Sequence, residues 1–231
     1  MDKRVGDWLT ISGVDAYTAY GADLISFSPG AREVTAGYSD AVPLMPTYHY
    51  TRLSALPLEV QAYVWGPTWD AAQANLAALI EACKDCVIRT AATSYEYAAI
   101  LTEYSAEETG VEWYYHVTLS FITQRRKDMV RVALQDSGQV INGGTTPSGC
   151  ILTITPPDDE ETFEVMGVTI KDLHAGQPFV IDGIGYTVTE NSLNRFADTD
   201  MTVFPQIKPG RNTITMSKPM PVTVEFYPTY L

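Results

Sequence analysis

Two cysteines separated by two residues, Cys83-Lys84-Asp85-Cys86, are the first place in this chain to look for chemistry. A C-x-x-C pair supplies two thiolates, either half of a tetrahedral zinc site or a dithiol for redox exchange. Zinc needs two further ligands at suitable spacing. The remaining cysteine, Cys150, has no partner histidine nearby. The pair reads more simply as a helix end with a buried small thiol. His49, His116 and His174 are scattered, and neither G-x-S-x-G nor H-E-x-x-H occurs to give one of them a nucleophile or a metal. Asp158-Asp159-Glu160-Glu161 gathers the oxygens that a hard cation takes, but lacks the glycine and spaced ligands of a calcium loop. After two prolines it reads as a solvated turn. Gly183-Ile184-Gly185 has no helix behind it to hold a phosphate, and a hairpin turn accounts for it. Trp113-Tyr114-Tyr115 offers aromatic faces to a sugar, and equally well begins a strand. No catalytic, cofactor-binding or metal residue is assigned, and a non-enzymatic protein is expected.

Composition narrows the partners. The 231 residues are 45% hydrophobic and 19% charged, enough to build a substantial core. Fourteen tyrosines with 16 glycines and 14 prolines favour strands and turns over a helical bundle. The net charge of -13 is spread over both halves, with no basic patch in either. Sequence-specific binding to nucleic acid is therefore not expected, and an acidic surface would let DNA pass without sticking. Met1-Asp2-Lys3-Arg4 lacks a following apolar segment, and no run of 18 apolar residues occurs. The expectation is a chain made in the cytoplasm without membrane insertion.

The elements that would position any site are mostly strands. Leu58, Val60, Ala62 and Val64 alternate with polar residues at the two-residue period of a half-buried strand, as do Val117, Leu119 and Phe121. Val87–Ile88 and Tyr95–Leu101 add two more. Trp69–Cys83 differs: Ala72, Leu76, Leu79, Ile80 and Cys83 recur at helical spacing, Thr68 can cap, and Asp70 suits the positive end of the helix dipole. The first 125 residues thus read as a β-sandwich-like domain carrying one helix, about 68–83. Residues 126–147 read as a linker region. Residues 148–231 follow as a small antiparallel β-sandwich or barrel, with strands at Cys150–Thr155, Thr162–Ile170, Phe179–Ile181, Tyr186–Glu190, Asn212–Met216 and Val222–Phe226.

The stretch Ser39–Pro57 stands apart. Pro43, Pro46 and Pro57 argue against a central strand, yet Leu44, Met45, Tyr48 and Tyr50 are rich for a plain loop. It is either an irregular segment covering its own domain or an arm that packs on a neighbouring subunit, so these four residues form a candidate subunit interface.

Phe204-Pro205-Gln206-Ile207-Lys208-Pro209-Gly210-Arg211-Asn212-Thr213-Ile214, followed by the alternating Val222, Val224 and Phe226, resembles the end of the distal tail proteins of long-tailed bacteriophages. Gly13-Val14-Asp15 and Tyr20-Gly21-Ala22-Asp23-Leu24 are similar to that family's opening, and the strand, helix and strand that follow fall in its order. The resemblance implies a hexameric ring around a channel. The N-terminal domain would form the belt, and a galectin-like or oligosaccharide-binding-like domain would project outward. It implies the tail tube protein and a tail-associated hub or lysin as partners, with tape-measure and receptor-binding proteins as further neighbours, and a place in the virion tail tip. No cofactor is implied. A tail tube protein and a carbohydrate-binding adsorption module are the alternatives.

Overall fold

A computed structural model describes residues 8–39 and 47–231. The chain divides into two compact units, one up to Arg125 and one spanning Arg126–Tyr230.

The first unit runs β1 (Leu9–Ile11), β2 (Val14–Asp15), α1 (Ala16–Tyr20), β3 (Ala22–Pro29), β4 (Val34–Ser39), β5 (Thr47–Leu53), β6 (Leu56–Trp65), α2 (Trp69–Cys83), β7 (Asp85–Thr90), β8 (Glu96–Glu108) and β9 (Tyr114–Arg126). Its main sheet has the order β2-β1-β7-β8-β9-β6-β3. Strand β6 lies between β9 and the edge strand β3. Leu56, Leu58, Val60, Ala62 and Val64 alternate inward and are buried. Ladders join β6 to β9 on one side and to β3 on the other. Helix α2 has the limits that its periodicity predicts. Thr68 Oγ1 accepts from Ala71 N at 3.2 Å, and Ala72, Leu76, Leu79 and Cys83 are buried. Gly21 ends α1 at φ 58°, where a Cβ would lie 2.4 Å from the Trp65 carbonyl oxygen, so glycine is required there on two counts.

Strand β5 corrects the reading of Ser39–Pro57 as irregular. Thr47–Leu53 pairs antiparallel with β4 as a two-stranded ribbon. Its seven residues contain no proline, and Thr, Tyr and Leu suit an extended backbone. Pro57 lies at the second position of β6, where a strand tolerates it.

The second unit contains β10 (Val130–Leu134), β11 (Gly138–Asn142), β12 (Ser148–Ile154), β13 (Glu160–Val165), β14 (Val168–Leu173), β15 (Phe179–Asp182), β16 (Thr187–Glu190), β17 (Leu193–Asn194), β18 (Gln206–Ile207), β19 (Gly210–Ile214) and β20 (Val222–Phe226). A sheet of order β10-β20-β12-β15-β16-β17 and the ribbons β11-β19 and β13-β14 contribute to one core. Phe163, Phe179 and Phe226 are its largest fully buried side chains. Residues 126–147, expected as a linker, instead supply β10 and β11, which pair with β20 and β19. Asn142 is buried, donating to the Ile207 carbonyl at 2.9 Å and accepting from Gly144 N at 2.8 Å, so a glycine-rich stretch is pinned rather than loose. The single strand expected over Thr162–Ile170 is two, turned at Met166-Gly167, both at positive φ.

The Lys208-Pro209-Gly210 turn behaves differently from a hairpin. The strands beside it pair elsewhere, β18 with β12 and β19 with β11. Asn212 does the local work. Its Oδ1 accepts from Lys208 N at 2.9 Å, and its Nδ2 donates to the carbonyls of Lys208 (2.7 Å) and Gly210 (3.0 Å).

Truncating one large side chain in each core provides a test. Leu79→Ala and Phe226→Ala are each expected to cost about 2–5 kcal/mol. Denaturant titration combined with limited proteolysis will show the first change loosening residues before 126 and the second loosening those after.

Candidate functional site

Most residues singled out for chemistry are absorbed by the fold, whereas Trp113 and Tyr114 stay exposed. Cys83, Cys86 and Cys150 are free and buried. Contact with the Cys86 thiol, together with burial, pushes the Cys83 thiol up. Burial pushes Cys150 up to about 12. Both are protonated at neutral pH and poor nucleophiles. Among the described residues, no group of three or more His, Cys, Asp or Glu side chains is placed to hold a metal ion. Asp159 accepts from Ala175 N at 2.7 Å and Glu160 pairs with Lys218, which uses half of the acidic run in turns and an ion pair. Asp182 Oδ1 accepts from Ile184 N and Gly185 N, both at 2.8 Å, making Gly183-Ile184-Gly185 an Asx-stabilised turn.

His116 sits half-buried on β9 against the Tyr63 ring. His174 belongs to a cluster that the sequence reading missed. Its Nδ1 lies 3.0 Å from a carboxylate oxygen of Glu190, whose side chain is 6% exposed. Arg195 pairs with Glu190 and Asp198 and donates to the Asp172 carbonyl at 2.9 Å. No nucleophile is part of it. The cluster ties the ends of β14 and β16 to the 3₁₀ turn Phe196–Asp198. One signal was available: β16 alternation puts Glu190 on the same inward side as Val188, and an inward carboxylate requires a cation.

Exposed side chains of both units remain at the surface. Strand β7 is paired with β8 as far as Ile100, whereas β8 continues to Glu108. Residues Thr102–Glu108 are all exposed and include Glu103, Tyr104, Glu107 and Glu108. On the second unit, the Tyr186 ring meets Phe204 edge-on at 5.4 Å and Phe196 lies 6.2 Å from Phe204, with Tyr186 71% exposed. Of the candidate interface residues, Leu44 and Met45 lie outside the described residues, while Tyr48 and Tyr50 belong to β5. No helix among the described residues is long and apolar enough to cross a membrane.

A helix-bearing β unit followed by a smaller β unit is an arrangement found in solved proteins of phage hubs and baseplates. The SPP1 Dit (gp 19.1) protein, described as a paradigm of the hub adsorption apparatus in phages infecting Gram-positive bacteria, matches at a TM-score of 0.73 and 15% identity. The match covers 97% of this chain and 99% of that one. The phage P2 baseplate in its activated conformation matches with Ca at 0.57 and 12% identity, and with Sr at 0.60 and 11%. Both matches cover 96% of this chain and 98% of theirs. These are likenesses of fold, and they bear out the resemblance drawn from the C-terminal segment. No family model and no curated protein sequence matches.

Two measurements check this account. Arg195→Ala should cost about 3–5 kcal/mol, because Glu190 is left buried without its cation, and adding Glu190→Leu should recover part of that loss. A double-mutant cycle in urea reads both values. Iodoacetamide at neutral pH should leave Cys83 and Cys150 unmodified in the folded chain and label them after denaturation, as mass spectrometry would show.

Proposed function

We propose that this chain is a structural, non-enzymatic component of a phage tail tip, where six copies close into a ring between the tail tube and the tail-associated hub or lysin. The observation that carries this reading is the fold likeness to the SPP1 Dit protein across nearly the full length of both chains. A cyclic ring needs heterologous contacts, with one patch of each copy meeting a different patch of the next. The exposed outer half of β8, and the β4-β5 ribbon with Tyr48 and Tyr50 in it and Leu44 and Met45 between its strands in sequence, are what we assign to those contacts. The net charge of -13 suits a channel through which DNA passes without adhering. The second unit, with its exposed Tyr186 and Phe196, faces outward toward receptor-binding proteins in this reading. The chain is then made and assembled in the host cytoplasm and ends in the virion.

Light scattering coupled to size exclusion tests the ring. The expected particle has about six times the 25.4 kDa chain mass, alone or on mixing with the cognate tail tube protein. A monomer under both conditions would contradict the ring.

A further inference from the structure

The β8-β9 hairpin forms a pocket that neither core explains. It is shallow, about 370 Å³, and lined by Trp69 at the start of α2 together with Glu108, Glu112, Trp113, Tyr114 and Tyr115 of the hairpin. Its walls are held in place. Thr109 N donates to the Tyr114 carbonyl at 3.0 Å, closing the loop, and Trp113 takes φ 64° within it. Tyr114 stacks on Trp65 with centroids 6.0 Å apart and planes 13° from parallel. Gln73 donates to the Tyr115 hydroxyl at 2.7 Å, and that hydroxyl lies 3.4 Å from Glu108 Oε1. The indoles remain open, Trp69 at 54% and Trp113 at 41% exposure.

We infer that this pocket binds an organic cation, an ammonium or guanidinium group held against the aromatic walls and paired with Glu108 and Glu112. Four aromatic residues and two carboxylates line it, and no Lys, Arg, His, Asn or Gln does. Neither carboxylate is ion-paired within the described residues. Negative ring faces and carboxylates attract the same charge. A neutral sugar would leave the negative charge of Glu108 and Glu112 uncompensated, whereas a cation neutralises it. The positive end of α2 beside Trp69 is already answered by the Thr68 cap and by Asp70 in the first turn. The site stands whether or not the chain forms a ring.

Two sources present such a group: a small quaternary ammonium compound, or a basic side chain on a polypeptide. Tryptophan fluorescence of the full chain, titrated separately with choline chloride and with Nα-acetyl-arginine amide, tests the site and separates the two. 3,3-Dimethylbutanol serves as the neutral counterpart of choline, and sodium chloride as the ionic-strength control. A saturable change for at least one cation, with a midpoint on the order of millimolar, is expected. Glu112→Gln and Trp69→Ala should each weaken it by about threefold or more, with circular dichroism unchanged. Tighter binding of the arginine amide assigns the site to a peptide side chain, and tighter binding of choline to a small ammonium compound. The inference is overturned if the neutral alcohol binds as well as choline, if Glu112→Gln leaves the midpoint in place, or if neither cation gives a saturable change.

Discussion

Alternation along β6 is the constraint on which the first unit rests. Five inward side chains from Leu56 to Val64 are buried while their neighbours face outward, and the strand is paired on both edges. A slip of one residue would exchange the two faces, so the register of β3 and β9 follows from it. The α2 helix then has one apolar stripe to cover and one place to put it. In the second unit the same role falls to β12 and β20, where Cys150, Leu152, Ile154, Val222, Val224 and Phe226 form a solid wall. With both units closed over apolar cores, what they leave to function is surface.

That division explains why the search for chemistry ends in structural roles. The thiols are inside. Half of the acidic run is spent on a turn and an ion pair. The glycine-rich loop is tied by Asp182. The cluster of Glu190 with Arg195, His174 and Asp198 binds segments of the second unit to one another. The outer part of the β8-β9 hairpin, by contrast, leaves aromatic rings and carboxylates facing solvent, where a partner or ligand can reach them.

The sequence was most legible where one period dominated. Helix α2 and the inward positions of β6, β9 and β20 follow from residue spacing alone, since burial on one face leaves little choice. Legibility failed where side-chain hydrogen bonds decide the path. Asn142 fixes a stretch whose glycines suggested a linker, and Asn212 closes a turn whose strands pair elsewhere. The β4-β5 ribbon was obscured by nearby prolines that lie outside β5. Glu190 and Arg195 are separated by a turn and β17, and only the inward register of Glu190 hinted that a cation must return to it. The aromatic pocket needed Trp69 and Trp113 brought together from two elements, which no local pattern reveals.

A tail-tip role makes a claim about place, and place can be seen directly. Gold-labelled antibody raised against this chain, applied to intact phage particles that carry its gene and viewed by electron microscopy, should mark the tail end farthest from the capsid. Label distributed along the tube, or absent from particles altogether, would contradict the account.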